Sequence, residues 1–401
     1  MKSLFTVFVF SIFSYGITVH AQNYTWTPSN QAALPVTDEV QQQSIAIGIS
    51  ASVTAIHELP NEYWTKERLR KAKHIDLPRA SVNSYPSTEI MESYDHSESI
   101  SEPGRSPAIK VKRSKNKLFE PIKNEINPDD SEMLGFSAED ITPYSFGTAG
   151  AYFTSSRVGP APTVQNSWPF SATGKLFFSD SVGNQYICTA SVVKPRLILT
   201  AGHCVYDAVG KKWYTNFKFI PAFHNGSAPY GQWNWAWAAT TSSWMNGGGK
   251  VPNSGDFALI ELQDNSLGQK LGSITGYYGY RLNALSPNHV TIFGYPAAFD
   301  SANWLHRVDS QSYKATSINT VEFGADMTRG SSGGPFLENF GDIASGQSVS
   351  GFMNALVGVV SYGPSDTAVR SLGSSILDSQ FTNSSKTGIL DMACARRVGN
   401  C

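Results

Sequence analysis

Three side chains in this sequence could together carry out acyl transfer: His203, Asp256 and Ser332. Ser332 lies in the stretch DMTRGSSGGPF, where glycines leave the backbone open to close approach by a reacting carbonyl. A serine hydroxyl becomes an effective nucleophile when a base removes its proton, and a histidine oriented by a carboxylate can be that base. The backbone N–H groups of Gly330 and Ser332 could stabilise the oxyanion that then forms. The alternative is that this stretch is only a glycine-rich turn.

The other two residues lie at the ends of predicted strands. His203 follows the apolar run RLILT, and a disulfide between Cys188 and Cys204 would pin its segment by closing a loop of about 15 residues, worth about 3 kcal/mol. Asp256 opens the run FALIEL at the edge of a core, where an unpaired carboxylate would be costly. Taken singly, His203 could be an ordinary surface histidine and Asp256 a turn residue. Their occurrence with Ser332 in one β-rich chain favours catalysis.

Short apolar runs separated by Gly, Pro and Asn fill the chain from about residue 165 onward. The runs are rich in Val, Ile, Phe, Tyr and Thr, which is typical of strands. A parallel α/β sheet would need helical crossovers between the strands, and the sequence has no helical pattern there. We therefore predict an all-β sandwich or barrel.

The residues before this region have a different character. Residues 1–21 carry one Lys before a short, interrupted apolar run, which predicts a cleaved secretory signal peptide rather than a membrane span. Residues 101–140 hold 15 charged side chains in 40, whereas residues 145–401 hold 31 in 257. We interpret residues 22–145 as a largely irregular pro-region. Candidate cuts follow Arg113, which could equally belong to a solvated charge run, and Arg157.

Composition narrows the possible partners. A formal net charge of −1 gives no electrostatic reason to expect a nucleic acid or an anionic membrane. In a secreted chain the four cysteines can form disulfides, and Cys394 and Cys401 could close a small terminal loop, stay free or pair between chains. Asn225 and Asn383 lie in glycosylation frames. The histidines have no metal-ligand spacing, so we predict neither a metal nor a cofactor.

At these residues the sequence resembles the chymotrypsin-like serine proteases. LTAGHC is similar to the family's histidine motif, with Gly202 where many members have Ala, while DFALIEL and GSSGGP resemble its aspartate and serine motifs. The resemblance covers residues 150–385 and implies two six-stranded antiparallel β-barrels with the active site between them. It makes His203 the base, Asp256 the group that orients it, Ser332 the nucleophile, and Gly330 with Ser332 the oxyanion hole. The run VVSYGP is similar to the strand that pairs with the substrate backbone, which implies binding by Ser361, Tyr362 and Gly363.

Within the family, the runs TAGHCVYD, PYG, FGYP and DMTRGSSGGP suggest the glutamyl endopeptidase-like branch. Ser331, however, stands where animal digestive members have an Asp that receives the newly cut N-terminal amine, so activation would take another route. Glutamate-specific members use a histidine downstream of the nucleophile, and none follows Ser332. Asp326 has the spacing of the acid that binds Lys or Arg in trypsin-like members, although the glutamyl branch also has Asp there. Arg329 could neutralise Asp326 or attract an acidic substrate residue.

The sequence thus predicts a secreted serine endopeptidase, with residues 146–401 as its protease domain. It would act extracellularly on proteins or peptides as a monomer, with no nucleic-acid or membrane partner after the signal is removed. The rival hypothesis is a protease fold that has lost turnover and serves as a binding module.

Overall fold

The computed structural model describes residues 46–50, 63–80, 100–120, 151–159, 162–286, 288–316, 319–343, 352–366 and 369–401. The predicted signal peptide and most of the predicted pro-region lie outside the described residues. In chain order, the N-terminal elements are β1 (Ala46–Ser50), α1 (Lys66–Lys71), β2 (Lys73–His74), β3 (Arg79–Ala80) and β4 (Ser101–Glu102). Among the described residues no helix is long and apolar enough to cross a membrane.

The remaining elements up to the first barrel's last strand are β5 (Phe153–Arg157), α2 (Pro162–Gln165), β6 (Thr173–Ser179), β7 (Gln185–Val192), β8 (Leu197–Thr200), β9 (Tyr206–Asp207), β10 (Lys212–Trp213), β11 (Thr215–Pro221), β12 (Trp233–Thr241), α3 (Ser242–Asn246) and β13 (Ala258–Leu262). They are followed by α4 (Leu271–Thr275), β14 (Gly279–Arg281), β15 (His289–Gly294), β16 (His306–Thr316), β17 (Thr320–Gly324), β18 (Pro335–Glu338), β19 (Ala355–Pro364), β20 (Ser371–Ile376) and α5 (Ile389–Arg396).

Two closed antiparallel barrels of six strands each form the body of the molecule. The first runs β12–β11–β6–β7–β8–β13 and closes through the pairing of β13 with β12. The second runs β18–β15–β16–β17–β20–β19 and closes through β18 and β19. The prediction of an all-β, chymotrypsin-like fold is confirmed. Closure pairs the edge strands and leaves the apolar side chains of each barrel inside.

Both barrels have dense apolar interiors. Leu176, Ile198 and Phe219 are fully buried in the first barrel, and Ile292 and Val360 are fully buried in the second. The strand runs recognised in the sequence therefore supply these cores, because side chains on a strand alternate between its two faces.

Disulfides tie down two segments. Cys188 on β7 is bonded to Cys204 beside His203, and Cys394 on α5 is bonded to Cys401. The second bond resolves the open choice for the terminal pair in favour of a small intrachain loop.

The described pieces of the predicted pro-region lie against the barrels. β1 pairs with β12, β2 with β7, β3 with β19 and β4 with β14. Within the described ranges these pieces form short strands and one helix of six residues, and their buried side chains Trp64 and Leu69 join the core cluster of the protease part.

Candidate active site

His203 and Asp256 meet between the two barrels. A 3-10 turn over Gly202–Cys204, directly after β8, carries the histidine, and the aspartate lies just before β13, the strand that pairs with β8. The His203 Nδ1 atom lies 2.9 Å from Asp256 Oδ2, and the His203 backbone N–H donates to Asp256 Oδ1 at 2.8 Å. Asp256 therefore fixes both the ring and the backbone of the histidine.

A third donor completes the environment of this carboxylate. The Ser361 hydroxyl, on β19 of the second barrel, donates to Asp256 Oδ2 at 2.6 Å. Asp256 is fully buried, so each of these bonds offsets its loss of water. Sequence reasoning placed Ser361 only along the substrate strand and missed this side-chain contact, which joins β19 of the second barrel to the segment before β13 of the first.

The reactive ends of the site are shielded and unpartnered. Ser332 is fully buried, His203 is 6% exposed, and neither Ser332 Oγ nor His203 Nε2 has a hydrogen-bond partner in the described part of the chain. Catalytic hydrogen bonds are often long without substrate and tighten as the reaction proceeds. The structure thus holds the His203 ring oriented and leaves its Nε2 atom available for a proton.

The loop that holds Ser332 is already ordered. Gly330 has a φ of 91°, a conformation that favours glycine, and its carbonyl accepts a hydrogen bond from the Thr189 hydroxyl at 2.9 Å. The Ser332 carbonyl accepts from the Thr189 N–H at 2.8 Å. These bonds use the carbonyls of Gly330 and Ser332, while their N–H groups donate to none of the described residues. The two N–H groups are therefore available as the predicted oxyanion donors.

Gly202 has a local reason to be glycine. A Cβ at this position would lie 2.8 Å from Cγ of Trp244 and 2.9 Å from the Thr240 hydroxyl oxygen. The Trp244 ring, whose centroid is 6.0 Å from that of His203, occupies the space that an alanine methyl would need.

These geometries coincide with a clear family match. The family model described as Trypsin matches residues 157–376, more than half of the chain. The chain belongs to the trypsin family. The candidate residues His203, Asp256 and Ser332 all fall inside the matched range.

Two curated relatives refine this placement. The chain is 28% identical over 182 residues to the glutamyl endopeptidase of Bacillus licheniformis, covering 44% of this chain and 51% of the relative. It is 26% identical over 180 residues to the extracellular metalloprotease of Bacillus subtilis, covering 44% and 54%. The chain spans about half the length of the curated relatives it matches. The predicted relation to glutamyl endopeptidases is confirmed.

Two solved structures are among those similar to this chain. The protease Anisep from Arthrobacter nicotinovorans is 29% identical with a TM-score of 0.44, covering 52% of this chain and 90% of its own. A Glu endopeptidase in complex with MPD is 19% identical with a TM-score of 0.43, covering 55% and 91%.

Asp326 and Arg329 line different cavities in this trypsin-family chain. Asp326 lies beside Met327, Gly363 and Arg370 in a cavity of about 30 Å³. Burial raises the pKa of the Asp326 carboxyl, and the Ser155 hydroxyl and the Arg370 charge partly offset that rise. The pocket thus contains a guanidinium beside its carboxyl, and sequence reasoning did not identify Arg370.

Arg329 lies on the other side of the loop. It lines a cavity of about 760 Å³, and its Nη1 atom is 3.7 Å from Asp76 Oδ1. Lys175 lines the same cavity; it donates to the Ala302 carbonyl at 3.0 Å, and burial lowers its pKa to about 7. Arg329 is therefore placed to meet a group in this larger cavity rather than one in the pocket of Asp326.

The other predicted residues are placed as follows. Tyr362 is buried, and its hydroxyl lies 3.3 Å from the Thr320 hydroxyl, so its side chain points away from the cleft. The next residue on β19, Gly363, donates its backbone N–H to the Pro78 carbonyl. Asn225 is half-buried, and the Asn383 side-chain nitrogen donates to the Ser379 carbonyl at 2.8 Å. Arg113 is exposed, while Arg157 ends β5 and pairs with Asp300.

Cys188, His203 and Cys204 are near enough to suggest a metal site by distance alone. The two sulfurs are joined to each other, however, and metal binding by cysteine uses the thiolate. This cluster therefore does not have the donor set of a zinc centre.

Proposed function

We propose that this protein is a secreted serine endopeptidase that hydrolyses peptide bonds through an acyl-enzyme. The observation that carries the proposal is the buried Asp256 carboxylate, which accepts hydrogen bonds from the ring and backbone of His203 and from Ser361. A fully buried carboxylate that holds one histidine in a fixed orientation is what general-base activation of a serine requires. Membership of the trypsin family and the glutamyl endopeptidase relative support the same reaction class.

The reaction then proceeds in two halves. Ser332 Oγ attacks the substrate carbonyl carbon while its proton passes to His203 Nε2, and the N–H groups of Gly330 and Ser332 donate to the oxyanion. The carbon–nitrogen bond breaks as His203 returns the proton to the leaving nitrogen, which gives the Ser332 ester. Water attacks this ester with His203 again as base, and the acid product and free Ser332 result.

Residues 1–21 would direct secretion, residues 22–145 would form the pro-region, and residues 146–401 the protease domain. The two disulfides are compatible with an oxidising compartment outside the cell. Arg79 and Arg370 both border the Asp326 pocket, and the charge of Arg370, which belongs to the protease part, makes a simple preference for Lys or Arg before the cut bond less favourable.

The test is a mass-spectrometric cleavage profile of the processed secreted protein on a mixed peptide library, beside the Ser332→Ala variant. Cuts that disappear in the variant are expected, and the residue preceding each cut gives the specificity. A folded, processed protein that makes no cuts would favour the binding-module hypothesis instead. Asp326→Ser tests the pocket: unchanged cutting would exclude Asp326 as the acid that selects basic residues.

A further inference from the structure

Residues 73–80, here called the strap, lie across the candidate active site and bridge both barrels. At the N-terminal end of the strap, Ile75 N–H donates to the Ile187 carbonyl on β7 at 3.2 Å. At its C-terminal end, Gly363 N–H donates to the Pro78 carbonyl at 2.9 Å and Ser365 N–H donates to the Ala80 carbonyl at 2.9 Å. The strap therefore pairs with the backbone of β19, the strand that is predicted to bind the substrate backbone.

Side chains of the strap lie in the Asp326 pocket and against the Gly330 backbone. Leu77 is buried and lines the Asp326 pocket, with its Cδ2 atom 2.8 Å from where a Cβ on Gly363 would lie. His74 Cδ2 is 2.7 Å from the corresponding position on Gly330, one of the proposed oxyanion donors. A peptide substrate would need the same pocket and the same strand edge, so it cannot bind while the strap is docked.

The direction of the strap is the informative feature. It runs parallel to β7 at one end and parallel to β19 at the other. In acyl transfer, the half of the substrate that stays bonded to Ser332 lies along β19 of the second barrel. The leaving half departs on the side of the first barrel, where His203 protonates it. The half N-terminal to the cut must therefore run along β19 towards the pocket.

The strap is docked the other way round. Its residues after Leu77, not those before it, run along β19. In a chain of this direction, the nitrogen of any peptide bond presented to Ser332 lies on the β19 side, away from the ring that must protonate it. Acyl transfer needs Ser332 at the carbonyl carbon and the His203 ring within reach of the leaving nitrogen, so a bond in this direction resists cleavage.

We propose that the strap is a built-in inhibitor that binds the substrate cleft backwards and cannot be cut by the site it covers. This inference rests on the proposed protease function. The full chain is then inactive because its cleft is covered, and not because its site is unformed. Thr189 already holds the Ser332 loop, and Ser331, which stands where digestive members of the family have an Asp, donates its hydroxyl to the Thr328 carbonyl. Activation requires the strap to leave after cleavage elsewhere in the chain, and no new N-terminal amine is needed to build the site.

The experiment compares full-length variants by the rate at which a fluorophosphonate labels Ser332. Leu77→Asp puts a charge into the pocket and should raise the rate by about tenfold or more. Asp76→Lys reverses the charge of an exposed ion-pair partner of Arg329 without changing the core, and should raise the labelling rate by about threefold. Lys66→Ala, on the exposed face of α1, should match the unmodified chain, and Ser332→Ala sets the zero.

The two hypotheses fail in different ways. If the unmodified full chain is labelled as fast as both strap variants, the strap does not inhibit, although the protease function stands. If the strap variants stay as slow as the unmodified chain while the processed protein is labelled rapidly, the strap proposal is equally overturned. If no form, processed or full-length, is labelled although each is folded, it is the proposed function that fails.

Direction is tested separately with Pro78→Ala. A proline can itself protect the bond before it, because its ring encloses the leaving nitrogen and restricts the backbone on both sides of the bond. The Ala variant keeps the carbonyl that accepts from Gly363 but removes this protection. We expect mass spectrometry to find residues 73–80 of the Pro78→Ala chain intact over a period in which Leu77→Asp protein digests an added peptide library. A cut after residue 77 would mean that the strap docks in the direction of a substrate.

Discussion

Removing the Ser361 hydroxyl should slow catalysis without weakening substrate binding. In Ser361→Ala, Asp256 loses its 2.6 Å hydrogen bond and keeps the two bonds from His203. A hydrogen bond to a charged group contributes about 1.5–3 kcal/mol, and a tenfold rate change corresponds to about 1.4 kcal/mol. If the loss falls mainly on the transition state, in which the imidazolium forms beside Asp256, kcat should fall by about 10- to 100-fold.

The assay is steady-state hydrolysis of a peptide found in the cleavage profile, with the processed secreted protein. KM should remain within about twofold, since the backbone of residue 361 still lies along the cleft. Ser375→Ala is the matched control, because that buried hydroxyl donates to the neutral Asn253 carbonyl at 2.6 Å. Ser375→Ala should lower the free energy of unfolding by about 1 kcal/mol, as expected for the loss of one hydrogen bond, yet keep its kcat. Equal kcat values for the two variants would refute the idea that Asp256 needs a third donor.

Three further changes test other parts of the structure. Gly202→Ala should lower the free energy of unfolding by about 1–3 kcal/mol through contact with Trp244, and Trp244→Leu in the same chain should recover part of this loss in urea unfolding; additive losses would contradict the contact. Lys175 binds a proton up to about pH 10.5 when unfolded but only below about pH 7 when folded, so stability should rise with pH between these values. Burial also lowers the pKa of Lys218 to about 8, so urea unfolding should show a clearly smaller rise in Lys175→Met, and an equal rise would contradict the role of Lys175. Burial and the two nearby cations lower the pKa of His74 to about 3, so protonation of the released strap should weaken docking below about pH 6.5. The rate at which a fluorophosphonate labels Ser332 in the full chain, divided by the rate in Leu77→Asp, should then increase on acidification. An equal increase of this ratio in His74→Phe would contradict the role of His74.

The barrels and the candidate catalytic residues could be predicted from the sequence for a common reason. Strand runs and motifs are local, so His203 after RLILT, Asp256 before FALIEL and Ser332 among glycines can each be recognised within about ten residues. The disulfide next to His203 is predicted from the cysteines of a secreted chain and the short loop they would close, and the structure contains it.

The missed features all depend on contacts between distant parts of the chain. Ser361 reaches Asp256 across 105 positions, and Arg79 reaches the Pro364 carbonyl across 285. The strap, KHIDLPRA, has no strand-like alternation of its own, and its extended form follows from pairing with the two barrels. Arg370 was missed likewise, because its proximity to Asp326 arises only when the ends of β17 and β20 come together.

Labelling of the processed secreted protein with a fluorophosphonate, followed by peptide mapping, tests the central claim most directly. We predict a single adduct on Ser332, absent from Ser332→Ala and formed far more slowly in His203→Ala. A folded, processed protein with no adduct, or with Ser332 labelled equally fast without His203, would contradict the proposed serine protease mechanism.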